Sequence, residues 1–134
     1  MGDHPSNFSF LASRSPQLAK LGALAERYFL TDPSGTLIKL RQFAEFTAKD
    51  IAAHHALLPS STVSFDDVLR ALKARSILPQ QAADYFHHLR RVGNAAAHED
   101  KGSSHDALHG LKIAWAIDAK GAAGKMPPPG VHSG

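Results

Sequence analysis

Leu89-Arg90-Arg91-Val92-Gly93-Asn94-Ala95-Ala96-Ala97-His98 is the stretch on which the architecture turns. Read as helix, it extends a segment that opens at Pro79 and carries Ala82, Phe86, Leu89 and Val92 at helical spacing. At roughly 100° per residue, Phe86, Leu89, Gly93 and Ala96 share one side, which suits a core. His87, Arg91, Asn94 and His98 gather on roughly the opposite side, at spacings of four, three and four residues. Gly93-Asn94 also reads as a helix C-cap, because both residues tolerate the left-handed conformation. In that case the stripe is broken and His98 sits in a loop.

Outward from this stretch the same period recurs. Ser15-Pro16 is a start signal, a capping side chain followed by proline in the first turn. Leu18, Leu21, Leu24, Ala25 and Phe29 follow it, predicting a first helix to about Leu30. Asp32-Pro33 repeats the signal, and Leu37, Leu40, Phe43, Ala44 and Ile51 carry a second helix to His55. Pro59 to Thr62 reads as a loop. Ser64 caps a third helix with Asp67 in the capping-box position, and Val68, Leu69, Leu72 and Ile77 form its apolar face. Lys101 to Ser104 is a turn, with Ser104 capping a fifth helix that holds Leu108, Leu111, Ile113 and Trp115. Asn7-Phe8-Ser9-Phe10-Leu11 reads as an arm packed on the body. From Ala119 onward, glycines and Pro127-Pro128-Pro129 predict a disordered tail. No strand pattern or internal repeat is visible. The expected fold class is all-α, a bundle of about five helices with short loops.

Composition bounds the chemistry. The chain has 134 residues, the size of one ordinary domain, with 43% hydrophobic residues. There is no cysteine, which removes disulfides, thiolate zinc sites and cysteine nucleophiles, and fits a cytoplasmic protein. No apolar run approaches the roughly 20 residues that span a bilayer. Met1 to Pro5 does not resemble a signal peptide. A net charge of +3 permits an acidic partner such as nucleic acid without requiring one. No Gly-x4-Gly-Lys-Ser/Thr loop is present and no cofactor is expected.

The stripe on the fourth helix suits phosphodiester cleavage in RNA without a metal. There a 2′-hydroxyl attacks the adjacent phosphate, a base takes its proton, and an acid protonates the leaving 5′-oxygen. Histidine titrates near enough to neutrality for either task. Arginine offers a fixed fork of donors to the phosphoryl oxygens, and asparagine can orient a histidine or hold a phosphate oxygen. The plainer reading is a solvated polar face. Arg41 and Glu45, one turn apart, read most simply as an exposed pair worth a few tenths of a kcal/mol, or else as an internal pair facing the fourth helix. His105 and His109 share metal-ligand spacing, and His54-His55 or His87-His88 could add ligands, but the flanking Glu of a metalloprotease helix is missing and adjacent histidines point in different directions, so no metal site is expected. Lys73, Arg75, Arg90, Arg91 and Lys101 lack a recognition-helix or aromatic stacking pattern and read as surface charge.

Four blocks carry a resemblance: 7–11, 21–29, Leu37-Ile38-Lys39-Leu40-Arg41-Gln42-Phe43-Ala44-Glu45, and Arg90 to Glu99. Together they resemble the helical N-terminal domain of type I restriction endonuclease R subunits, which is similar to the HEPN superfamily. That superfamily's signature is an arginine, four to six residues, then a histidine; Arg91 and His98 match it. The polar residue that commonly follows the arginine directly stands three positions later here, as Asn94. The resemblance covers roughly residues 7–115 and implies a HEPN-like bundle over 15–118, between the arm over 1–14 and the disordered tail over 119–134 that the residues themselves predict. It implies a homodimer through the motif helix, with RNA or other restriction-system subunits as partners. Catalytic roles fall to Arg91, His98 and Asn94, and substrate binding to His87 and Arg90. The alternative it implies is a non-catalytic docking or nucleic-acid-binding domain. The nuclease and helicase motor of a full R subunit have no counterpart in these 134 residues. The Gly/Pro-rich end is compatible with a fragment or a frameshifted gene.

Overall fold

In the computed structural model, which describes residues 6–57 and 63–119, a 3-10 turn (Ser9–Leu11) leads into five α-helices. These are α1 (Pro16–Tyr28), α2 (Pro33–His54), α3 (Phe65–Ala74), α4 (Gln80–Glu99) and α5 (Ser104–Ala119). The described residues contain no strand, so the all-α bundle expected from the periodicity is the fold observed. The readings of Pro59 to Thr62 as a loop and of residues 120–134 as a disordered tail lie outside the described residues. Ala119, placed in that tail from sequence, is the last residue of α5.

The helix starts follow their capping chemistry. The Ser15 hydroxyl accepts from the Leu18 N–H at 3.2 Å, the Asp32 carboxylate from the Gly35 N–H at 3.0 Å, and the Ser64 hydroxyl from the Asp67 N–H at 3.0 Å. The start of α5 differs by one residue. Ser103, not Ser104, is the cap: its hydroxyl accepts from the Asp106 N–H at 3.0 Å while the Asp106 carboxylate accepts from the Ser103 N–H at 3.4 Å. The reciprocal bond needs an acceptor three residues on. Ser103 has Asp106 there, whereas Ser104 has the buried Ala107.

Left-handed residues stand at the ends of α2, α3 and α4: Ala56, Ser76 and Asp100. Ser76 at φ 55° closes α3, and the Ile77 N–H returns to the Leu72 carbonyl at 3.0 Å. Ile77, expected on the helical face, therefore packs on the core from just beyond the helix. First-helix periodicity expected to reach Leu30 stops at Tyr28, and Leu30 is exposed.

The central element is α2, which packs on each of the other four helices. Its Leu37, Leu40, Phe43, Ala44 and Ala48 are buried at the middle of the bundle. Phe8 and Leu11 from the N-terminal segment are buried in the same core, with the Phe8 and Phe43 rings edge to face at 5.2 Å. The buried threonines are satisfied: the Thr36 hydroxyl donates to the Ala25 carbonyl at 2.8 Å and that of Thr47 to the Phe43 carbonyl at 2.9 Å. Asp118 near the end of α5 accepts from the Arg14 guanidinium at 2.8 Å. Burial pushes its carboxyl up to about 6, against the opposing pull of Arg14 and of the Thr47 hydroxyl.

Candidate functional site on helix α4

The helix does not break at Gly93-Asn94. It continues to Glu99 and ends at Asp100, which takes φ 51° and ψ 38° while its N–H bonds the Ala96 carbonyl. The reason lies in packing. A Cβ built on Gly93 stands 2.4 Å from the Arg41 Cβ and 3.0 Å from the Leu37 carbonyl oxygen. The glycine is used for close approach of α4 to α2, and its conformational freedom is not called upon.

Continuity keeps Arg91 and His98 on one face of the helix. Arg91 and His98 are both exposed on α4, two turns apart, and neither forms an ion pair with a described residue. Asn94 is half-buried and engaged elsewhere. Its side-chain carbonyl accepts from the Arg41 Nε at 2.7 Å. The same guanidinium reaches Glu45 at 3.2 Å, and Glu45 also meets Lys49 at 2.9 Å. Arg41 further lies 5.9 Å from the centroid of the Phe65 ring. The exposed-pair reading of Arg41 and Glu45 gives way to the internal one, because Arg41 spans the α2–α4 crossing. What Asn94 orients, among the described contacts, is α2.

His87 and Arg90 face α3. Arg90 Nε stands 3.9 Å from the Asp66 carboxylate, which is itself paired with Arg70. Burial lowers the His87 imidazole below its ordinary value; Arg90 and Arg91 add to this while Asp66 and Asp84 oppose it. The neutral form is thus favoured at His87.

Sequence reasoning missed a second polar cluster on the α5 side of the same helix. His88 and His109 stand edge to face with ring centroids 5.1 Å apart. Together with Asp84, Tyr85, Arg91, Lys112, Ile113 and Ala116 they line a groove of about 500 Å³. Burial, then His109 and Arg91, push the His88 imidazole down, with Asp106 opposing. The wheel position of His88, between the core side and the stripe, was the one available signal. The sequence raised His109 beside His88 only as a metal-ligand option, since spacing within α5 does not show which face of α4 it meets. Among the described residues no group of three or more His, Asp or Glu is placed to hold a metal ion, and no helix is long and apolar enough to cross a membrane.

Comparison with known proteins adds lineage to this geometry. The chain is 33% identical over 112 residues to the type I restriction enzyme EcoKI endonuclease subunit of Escherichia coli (strain K12). The match takes in 84% of this chain and 9% of that subunit, so the chain spans a small part of its relative's length. No solved structure gives a significant match. The model of a family described as a domain of unknown function, DUF4145, matches residues 24–118, which include α2, α3, α4 and nearly all of α5. Over most of its length, from the last turns of α1 to the end of α5, the chain is a member of the DUF4145 domain family.

Proposed function

We propose that this chain is a HEPN-like domain of a restriction or phage-defence system that acts on RNA as a homodimer, through the outer stripe of α4. The observation that carries the reading is the unbroken helix through Gly93-Asn94, which leaves Arg91 and His98 exposed on one face with no ion-pair partner among the described residues. In this reading Arg91 clamps the phosphoryl oxygens as negative charge builds. His98 serves as acid or base. Cleavage needs both an acid and a base, and each chain offers one exposed His98 on the stripe; a second copy brings the other. Asn94 is a positioning residue, since its bond to Arg41 fixes the rotation of α4 on α2. His87 and Arg90, nearer α3, extend the contact along the strand.

The test is incubation of the purified full chain with RNA in EDTA. Wild type is expected to cleave, His98→Ala to lose cleavage, and Arg91→Ala to lose it by a factor of about 10² to 10³, the scale for removing one transition-state donor. Equal cleavage by wild type and His98→Ala, or none by either, overturns the catalytic reading.

A second reading rests on a separate observation. The similarity is to 9% of a much longer restriction subunit, and in this second reading the domain is a docking or nucleic-acid-binding module of a larger assembly. It expects binding to a partner or to RNA without turnover, and binding that tolerates His98→Ala.

A further inference from the structure

The groove between α4 and α5 holds an unusual set of side chains for a surface depression. Arg91 from α4 and Lys112 from α5 line it together with the paired rings of His88 and His109. Ile113, which is buried, and Ala116, which is half-buried, add apolar surface to the lining. At neutral pH the lining carries two fixed positive charges against the single carboxylate of Asp84, and each imidazole can add another. Two cations lining the groove with the histidine pair repel a metal ion, although imidazole is a common metal ligand. The same cations attract an anion, and protonated imidazoles offer N–H donors to it. A phosphate has enough acceptor oxygens to engage all four basic groups. The cavity of about 500 Å³ falls within the range of small-molecule sites, and the apolar surface suits a ribose or base face.

We propose that this groove binds the phosphate group of a nucleotide, with Arg91, Lys112, His88 and His109 as its donors. The site is separate from His98, which lies ten residues beyond His88 on α4, past the groove's residues on that helix. Arg91 is the one residue shared with the proposed cleavage stripe, so a strand held here by its phosphate runs toward that stripe. The binding claim does not depend on cleavage. It also carries a pH signature. His88 faces Asp84 and Arg91 on its own helix and Asp106, His109 and Lys112 on α5. Its imidazole is held toward the neutral form, so binding a phosphate dianion takes up a proton at the histidine pair.

The experiment is titration of the full chain followed by histidine ring resonances in NMR, at constant ionic strength with chloride as the control anion. Inorganic phosphate is expected to shift the His88 and His109 signals saturably, and adenosine monophosphate to do so at lower concentration. Lys112→Gln and His109→Gln, both exposed positions that leave the melting temperature unchanged, are expected to weaken binding roughly tenfold each. Lys73→Gln on α3 is expected to change nothing, and His98→Ala to bind as wild type even where cleavage is lost. A 5′-phosphorylated oligoribonucleotide is compared with its 5′-hydroxyl form. Tighter binding of the phosphorylated form supports an RNA end as the source of the phosphate, and equal affinity for adenosine monophosphate supports a free nucleotide. The proposal is overturned by the absence of saturable shifts, by Lys73→Gln costing as much as Lys112→Gln, or by chloride shifting both histidines as strongly as inorganic phosphate.

Discussion

Gly93→Ala is expected to destabilise this protein, although alanine is the better helix former. Propensity alone favours alanine by about 1 kcal/mol in a helix interior. Against this, the new Cβ would stand 2.4 Å from the Arg41 Cβ, 3.0 Å from the Leu37 carbonyl oxygen and 3.1 Å from the Arg41 Cδ. Carbon atoms rest at about 3.5–4.0 Å. The Arg41 Cδ can swing away, but its Cβ and the Leu37 carbonyl move only with α2 itself. Relief therefore requires α2 and α4 to separate by about 1 Å at their crossing. Overpacking of this kind costs about 1–3 kcal/mol. Separation also stretches the 2.7 Å bond between Arg41 and Asn94, which adds roughly 1 kcal/mol. The net loss is then about 2 kcal/mol, seen as a fall in Tm of roughly 5–10 °C for a domain of this size. Urea denaturation with an unchanged m-value measures it directly. Ala97→Gly, exposed on the same helix, is the control and should cost only the propensity difference of about 1 kcal/mol. A Gly93→Ala variant more stable than wild type would refute the claim that close helix approach dictates this glycine.

Two further outcomes follow from the polar contacts. Asp118 sits at about 6 against an ordinary 3.8, so between those values the folded chain holds a proton that the unfolded chain has released. Its contribution is most favourable below about pH 4 and declines as pH rises; above pH 6 the ionised carboxylate costs roughly 3 kcal/mol relative to the unfolded state. Asp118→Asn is expected to remove that segment of the stability–pH profile, and a wild-type-minus-variant difference that stays flat from pH 4 to 6 would contradict it. For Asn94 and Arg41, a double-mutant cycle to alanine should give a coupling of about 1–2 kcal/mol, because the acceptor meets a charged donor at a half-buried crossing. Coupling near zero would return Asn94 to the solvent stripe.

The helices themselves were legible because their signals are local. Ser15-Pro16, Asp32-Pro33 and Ser64 with Asp67 act within one turn, and the 3.6-residue apolar period marks the buried face of each segment. The small misplacements are also local: Ser103 competes with Ser104 for a cap, and left-handed Ser76 ends α3 before Ile77. The candidate site was legible only in part. The spacing of Arg91, Asn94 and His98 puts them on one stripe of any continuous helix, but Gly93-Asn94 satisfies two local rules with opposite consequences. Spacing also could not show that Asn94 is drawn to Arg41, fifty-three residues away.

The sequence alone therefore determined the all-helical class, the number of helices and the stripe on α4, since propensity, capping and periodicity act between residues close in the chain. The tertiary structure decided whether that stripe exists as one surface. Packing α4 against α2 leaves no room for a side chain at position 93, and the helix runs on through the glycine. Packing α4 against α5 brings His88, Arg91, His109 and Lys112 to one groove. Both results depend on which faces meet across the bundle, and that is fixed by shape and burial between segments distant in the chain.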